Sequence, residues 1–261
     1  MDLDLRGRHA LVCGGSEGIG RAAAVELAQL GADVTLLARR EQALRKAVEA
    51  LPCVGAQRHA LLVADMADAE ALRIAVEALA TERPVQILLN NTGGPPGGPA
   101  HAATTVAYLE AFQKHLIANQ TLLQTVLPGM RAARWGRVVN VISTSVYEPI
   151  PNLGVSNTIR GAVASWAKTL SRELGGDGIT VNNVLPGYTR TQRLDQILAD
   201  RSAASGKSRD DVAAGMLATV PAGRFAEPRE TGGVIAFLCT NAAAYINGQS
   251  IAVDGGRMQS I

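Results

Sequence analysis

Short, continuous apolar runs alternate with longer stretches of helical periodicity almost from end to end, and this alternation limits the possible folds most strongly. His9–Cys13 (HALVC), Asp33–Ala38 (DVTLLA) and residues 57–64, 85–90, 137–142, 179–185 and 249–253 read as strands. Helical patterns cover 21–30, 41–51, 67–82, a long stretch from beyond Pro99 to Arg134, then 152–174 and 230–239. Residues 194–220 are polar and Ala-rich, one or two helices with Gly206 as a break. Strands without polar alternation suit a sheet covered on both faces. Strand–helix alternation implies right-handed βαβ units, hence a doubly wound parallel sheet in a three-layer α/β/α arrangement. With no linker and no internal repeat, residues 1–261 read as a single domain. In such sheets ligands bind beyond the carboxyl ends of the strands, at the point where strand order reverses.

Composition narrows the function classes. Lys and Arg total 25 against 23 Asp and Glu, a net charge of +2 with no basic block. That balance argues against nucleic acid and acidic membranes as partners. Aromatic residues are 3%, too few for the stacking platforms of a single-strand binder. Hydrophobic residues are 47% and charged residues 18%, which excludes a disordered chain. Cys13, Cys53 and Cys239 are widely spaced and form no Cys/His cluster. They are expected to be small buried hydrophobes in a reducing compartment, with neither disulfide nor metal. Residues 1–8 mix charged and apolar side chains, unlike a signal peptide, and no run approaches a membrane span. The expectation is a soluble, cytoplasmic protein acting on a small molecule.

The first strand leads into Gly14-Gly15-Ser16-Glu17-Gly18-Ile19-Gly20 and then directly into a helix. Glycines allow positive φ and bring backbone N–H groups close to a pyrophosphate, and the helix N-terminus favours the anion. This context makes the turn a dinucleotide site of Rossmann type. An NAD site normally has an acidic residue at the end of the second strand. Here that strand ends Leu37-Ala38-Arg39-Arg40, and Asp33 lies at the wrong end. An arginine fork suits a 2′-phosphate, so NADP(H) is favoured over NAD(H). Glu17 adds an opposing negative charge near the same place.

These features together resemble the short-chain dehydrogenase/reductase family, in its form of about this length, over essentially the whole chain. Cys13-Gly14 through Gly20 is similar to the family's TGxxxGIG, with Cys for Thr. Asp65 and Met66 match the pair that contacts adenine in the family. Asn90-Asn91-Thr92-Gly93 is similar to NNAG. Asn119 stands where the family has its catalytic asparagine. Pro186, Gly187, Thr189 and Thr191 match the segment that holds the nicotinamide carboxamide, and Asp254-Gly255-Gly256 the C-terminal DGG. The resemblance implies a homotetramer or homodimer built through the long fourth and fifth helices.

The catalytic pattern departs from the family. Ser143 matches its serine, but the Tyr-x-x-x-Lys register falls on Ser156 and Arg160. None of the four tyrosines has a lysine four residues later. An aliphatic hydroxyl is a far weaker acid than a phenol and a poor proton donor at neutral pH. Arg160 can hold ribose hydroxyls as the lysine would, but its charge cannot relay a proton. Three readings stay open. Tyr147, Tyr188 or a water held by Ser143, Ser156 and Asn119 supplies the proton. Alternatively, Arg160 binds a substrate carboxylate or enolate and the oxyanion is stabilised electrostatically, which suits an activated ketone, quinone or enone. Or the site is inactive and nucleotide binding serves sensing or assembly. His115, one turn before Asn119, is a candidate for a proton chain and Lys114 is expected to be exposed. The loop Gly93–Pro99 should border the pocket, and residues 190–220 form a substrate lid.

Overall fold

The computed structural model describes residues 1–260. Seven parallel strands form one sheet: β1 (His9–Cys13), β2 (Asp33–Ala38), β3 (Ala60–Val63), β4 (Ile87–Asn90), β5 (Gly136–Val141), β6 (Ile179–Pro186) and β7 (Ser250–Val253). Their order is β3-β2-β1-β4-β5-β6-β7. Helices flank each face: α1 (Gly18–Gln29), α2 (Glu41–Glu49) and α9 (Pro228–Leu238) on one side, α3 (Ala69–Glu82), α5 (Ala118–Ala132) and α6 (Gly154–Leu174) on the other.

The uninterrupted apolar runs are explained by this double cover. Along β1, Ala10 and Val12 pack towards α1 and α9, while Leu11 and Cys13 pack towards α3 and α5. Along β4, Ile87 and Leu89 take the first face and Leu88 the second. Successive side chains of a strand point to opposite faces, so a strand buried on both is apolar at most positions and pairs the polar groups it keeps.

Several boundaries differ from the sequence expectation. The long helical stretch is split into α4 (Thr105–Phe112) and α5 by a π turn over Gln113–Ile117. Side-chain periodicity does not register one extra residue in a turn, and π turns concentrate at functional sites. β3 occupies only 60–63 of the expected 57–64, because Gln57 and His59 bond to neighbouring loops instead. The 194–220 segment forms α7 (Gln192–Ser205) and α8 (Arg209–Leu217), separated at Gly206 with φ 69°. Cys13 and Cys239 are buried, which pushes both thiols up to about 12, but Cys53 is exposed after α2 and packs into no core.

A polar ladder crosses the apolar sheet. Asn90 Nδ2 donates to Asn140 Oδ1 (2.8 Å), Asn140 Nδ2 to Asn183 Oδ1 (2.9 Å) and Asn183 Nδ2 to Ser250 Oγ (3.0 Å). These residues are paired in register across β4, β5, β6 and β7. A one-residue slip would turn each amide to the opposite face and orphan it. Replacing Asn140 by Leu strands an amide on either side, at roughly 1–3 kcal/mol each. N140L should lose about 3 kcal/mol of unfolding free energy in urea titration; a loss below about 1 kcal/mol would show that the ladder does not hold the register.

Candidate active site

Strand order reverses at β1, which pairs with both β2 and β4. The loops after β1 and β4 diverge there and leave a crevice. Asn91, the first residue beyond β4, donates from Nδ2 to the carbonyls of Cys13 (3.2 Å) and Gly14 (3.4 Å), tying the two loops together. Gly14 (φ 60°) and Gly18 (φ 59°) adopt left-handed backbone in the turn that follows β1. Gly20 is required for a different reason: a Cβ there would lie 2.3 Å from the Gly14 carbonyl oxygen.

The start of α1 is left open. Its capping residue, Glu17, makes no side-chain hydrogen bond to the helix, and the first turn carries no acidic residue. The first N–H groups of a helix lack intrahelical acceptors, so this end retains donors for an anion. Glu17 instead pairs with Arg40 at 2.9 Å. Arg39 has a looser partner, Asp65, at 4.0 Å, and both are substantially exposed. The charge of Glu17 is thereby engaged by Arg40 and not by Arg39. Ser16 is half-buried in the turn, and Ile19 packs against the core beneath it. Asp65 accepts from the Ala67 N–H at 2.9 Å, and Met66 is buried beside Leu37 and Leu72.

Across the crevice, Gly187 N–H donates to the Val253 carbonyl (2.9 Å), fixing Pro186-Gly187 against the end of β7. Thr189 is buried, and its hydroxyl donates to the Gly187 carbonyl (3.2 Å). Thr191 caps α7 and its methyl group approaches Gly18, so α7 begins beside the glycine turn. Gly93 lies in open space on the β4 side.

The catalytic candidates come from three elements. Ser143 follows β5 and its Oγ accepts from the Ser145 N–H at 3.1 Å. Ser156 and Arg160 stand one turn apart on α6, on one face. Arg160 is buried and donates from Nη1 to the Val141 carbonyl at 2.8 Å, which brings it to the tip of β5. Burial first, then the charge of Arg193, pushes it down to about 10, still cationic at neutral pH. Asn119 is buried just after the π turn. Among the described residues, the side chains of Asn119, Ser143 and Ser156 make no hydrogen bonds to one another. His115 is 3% exposed within the π turn, and burial followed by the charges of Arg160 and Lys114 pushes it down to about 3. Its imidazole is therefore neutral. Lys114 is half-buried, not exposed as the sequence suggested.

The two candidate phenols sit differently. Tyr147 is 54% exposed. Tyr188 packs edge-on against Phe225 at 6.2 Å, with Arg257 4.8 Å over its ring. It belongs to the small core under α7 and α8 formed by Leu194, Leu198, Met216 and Phe225. Two arginines escaped the sequence reading. Arg257 donates to Thr144 Oγ1 at 3.2 Å, and Arg193 donates to the Pro95 carbonyl at 3.0 Å. Their only sequence signals were positions just after the DGG and Thr191 landmarks.

The sheet order and the glycine turn at its switch point define a Rossmann-type α/β protein. A family model described as enoyl-(acyl carrier protein) reductase matches residues 14–257. The chain belongs to the short-chain dehydrogenase/reductase family. Cyclohexanol dehydrogenase from a Rhodococcus species is 33% identical, with 98% of this chain and 97% of that protein covered. L-Sorbose reductase from Gluconobacter frateurii, solved with NADPH and L-sorbose, has a TM-score of 0.93 at 27% identity and covers 100% of both chains. A 3-oxoacyl-(acyl-carrier-protein) reductase from Agrobacterium tumefaciens, solved with NADP bound, has a TM-score of 0.87 at 28% identity, with 97% and 95% covered.

Filling the space at Gly20 tests the turn directly. G20A should lose about 1–3 kcal/mol of stability through overpacking and show weakened nucleotide binding. Unchanged melting and unchanged binding would mean that the Gly14 carbonyl moves aside freely.

Proposed function

We propose that this protein is an NADP(H)-dependent oxidoreductase that reduces a carbonyl or activated double bond of a small molecule, without a phenol as proton donor. The observation that carries the cofactor reading is the uncapped start of α1, with Glu17 drawn away to Arg40. The open backbone donors at Gly18, Ile19 and Gly20 suit a pyrophosphate, and Arg39 suits the 2′-phosphate. Asp65 and Met66 would flank the adenine; Asn91, Gly93, Pro186, Gly187, Thr189 and Thr191 would border the nicotinamide half. Relatives solved with NADP or NADPH support the same choice. The bound nicotinamide would supply a hydride to the substrate carbon.

This chain's residues must then supply a proton to the adjoining oxygen or carbon. Ser156 is shorter than a tyrosine by a whole ring, and its hydroxyl is too weak an acid to serve alone. Tyr147 faces solvent and the ring of Tyr188 is engaged in the lid core. We assign the proton to solvent, relayed through a water held among Asn119, Ser143 and Ser156. That water is no stronger an acid than serine, so the relay suits a substrate whose developing oxyanion is stabilised before the proton arrives. Arg160, cationic at the tip of β5, would offset the negative charge that builds on the substrate oxygen. An activated ketone, quinone or enone needs least help from an acid. Residues 190–220 act as the lid of a single folded unit. Val106, Leu109 and Phe112 are exposed along α4, which supports self-association through that helix.

Nicotinamide fluorescence should rise saturably when NADPH is added; no signal at millimolar cofactor would end the reading. R39D should lose about 10–100-fold in preference for NADPH over NADH, the value of one charge-assisted phosphate contact. Unchanged selectivity would place the 2′-phosphate elsewhere.

Turnover of diketones, quinones and enones separates a reductase from a nucleotide sensor. Y147F and Y188F should each retain the rate within about threefold, whereas removal of a true general acid costs about 100-fold or more. A loss of that size in either variant would return the proton to a phenol.

A further inference from the structure

Arg160 and Arg193 come together from distant parts of the chain. A Cβ added to Gly94 would sit 3.8 Å from Arg160 Nη2 and 3.9 Å from Arg193 Nη2, so both guanidinium groups border one point of the loop after β4. Arg160 rises from α6 and Arg193 descends from the first turn of α7. Each spends one nitrogen on a backbone carbonyl, Val141 for Arg160 and Pro95 for Arg193. Among the described residues, neither has a carboxylate partner, although eleven ion pairs form elsewhere.

The other buried arginine, Arg137 on β5, shows what satisfaction looks like. Arg137 is 2% exposed, donates to the carbonyls of Gly136, Gly178 and Thr240, and lies 4.2 Å over the ring of Trp135. Arg160 is 8% exposed with a single acceptor. The charged neighbours that act on Arg160 and on His115 are all cationic: Arg193 on the first, Arg160 and Lys114 on the second. Holding a guanidinium out of water beside a like charge is costly unless an anion joins them. The position also matters. Arg160 is anchored at β5, and β4 lies between it and the glycine turn of β1. That puts the pair on the substrate side of the crevice.

We propose that Arg160 and Arg193 form an anion site over the loop at Gly94 and Pro95, and that the substrate carries a carboxylate beside its reducible group. The guanidinium fork matches the planar, two-oxygen geometry of a carboxylate. Because Arg193 stands at the start of α7 and already donates to Pro95, a bound carboxylate adds a second tie between α7 and the loop after β4. The inference rests on the oxidoreductase reading for the identity of the bound molecule as substrate, but the anion site itself can be tested without turnover.

The test uses the full chain saturated with NADPH, with calorimetric titration of cyclohexanecarboxylate, its neutral amide and inorganic phosphate. The carboxylate should bind at least tenfold more tightly than the amide, and more tightly than phosphate. R193Q should weaken carboxylate binding about 10–100-fold, in line with one charge-assisted contact, and so erase most of that discrimination, while R193K retains part of it. NADPH affinity, measured separately by fluorescence, should change less than threefold in both. In turnover, 2-oxo acids and enone acids should exceed their methyl esters in kcat/KM, and R193Q should lose that preference mainly through KM. Equal binding of acid and amide would overturn the proposal. So would an R193Q variant that loses NADPH but keeps the acid preference, since Arg193 would then serve the cofactor, and so would phosphate binding above carboxylate. Turnover of acids and esters alike would sink the anion site and leave the reductase reading intact. Carboxylate binding that depends on Arg193, with no turnover of any substrate, would keep the site and remove the reductase reading.

Discussion

The pairing of β1 with β4 is the constraint on which the rest depends. After β3 the chain leaves one edge and returns to the centre, so the loops following β1 and β4 part from each other at their carboxyl ends. Asn91 bridges the parting by donating to the carbonyls of Cys13 and Gly14. That bond holds the glycine turn and the Gly93–Pro99 loop as two banks of a single crevice. The asparagine ladder from Asn90 to Ser250 then sets the heights of the next three strands relative to β4. Ser143 and the Pro186-Gly187 turn reach the crevice because β5 and β6 are aligned in this way.

The electrostatics of the crevice follow from what is missing in it. Helix α1 begins without a side-chain cap and without an acid in its first turn. Glu17, the nearest candidate to offset that end, is held by Arg40. At the opposite bank, Arg160 and Arg193 meet no carboxylate among the described residues, and His115 is neutral through burial. Both banks therefore present donors and positive charge, the arrangement suited to a ligand that brings its own anions. A protein with a net charge of only +2 achieves this by pairing many of its acids with arginines in surface contacts such as Arg73 with Glu70 and Glu77.

Legibility in the sequence tracked the range of the interaction. The glycine turn was readable because its constraints are local: two left-handed residues and a close approach within seven positions. The strands were readable because their mainly apolar runs lack polar alternation, most fully in the buried β1 and β4. The π turn at Gln113–Ile117 was not, since one extra residue leaves the apolar pattern of the helix nearly intact. Tyr147 and Tyr188 looked equivalent as donors, yet one faces solvent and the other packs on Phe225. Only side-chain direction separates them, and loop spacing does not encode it.

By itself the sequence determined the order and type of the elements and the anion-binding turn, because backbone conformation, periodicity and capping are set by neighbours a few residues apart. It also determined that Ser156 and Arg160 share one face of a helix, since residues four apart must. The tertiary structure alone decided which strand neighbours which along the asparagine ladder, which arginine engages Glu17, and that Arg193 arrives opposite Arg160. Those contacts join residues brought together only when the sheet closes and the lid docks, so their energies depend on burial and on distances that no local pattern records.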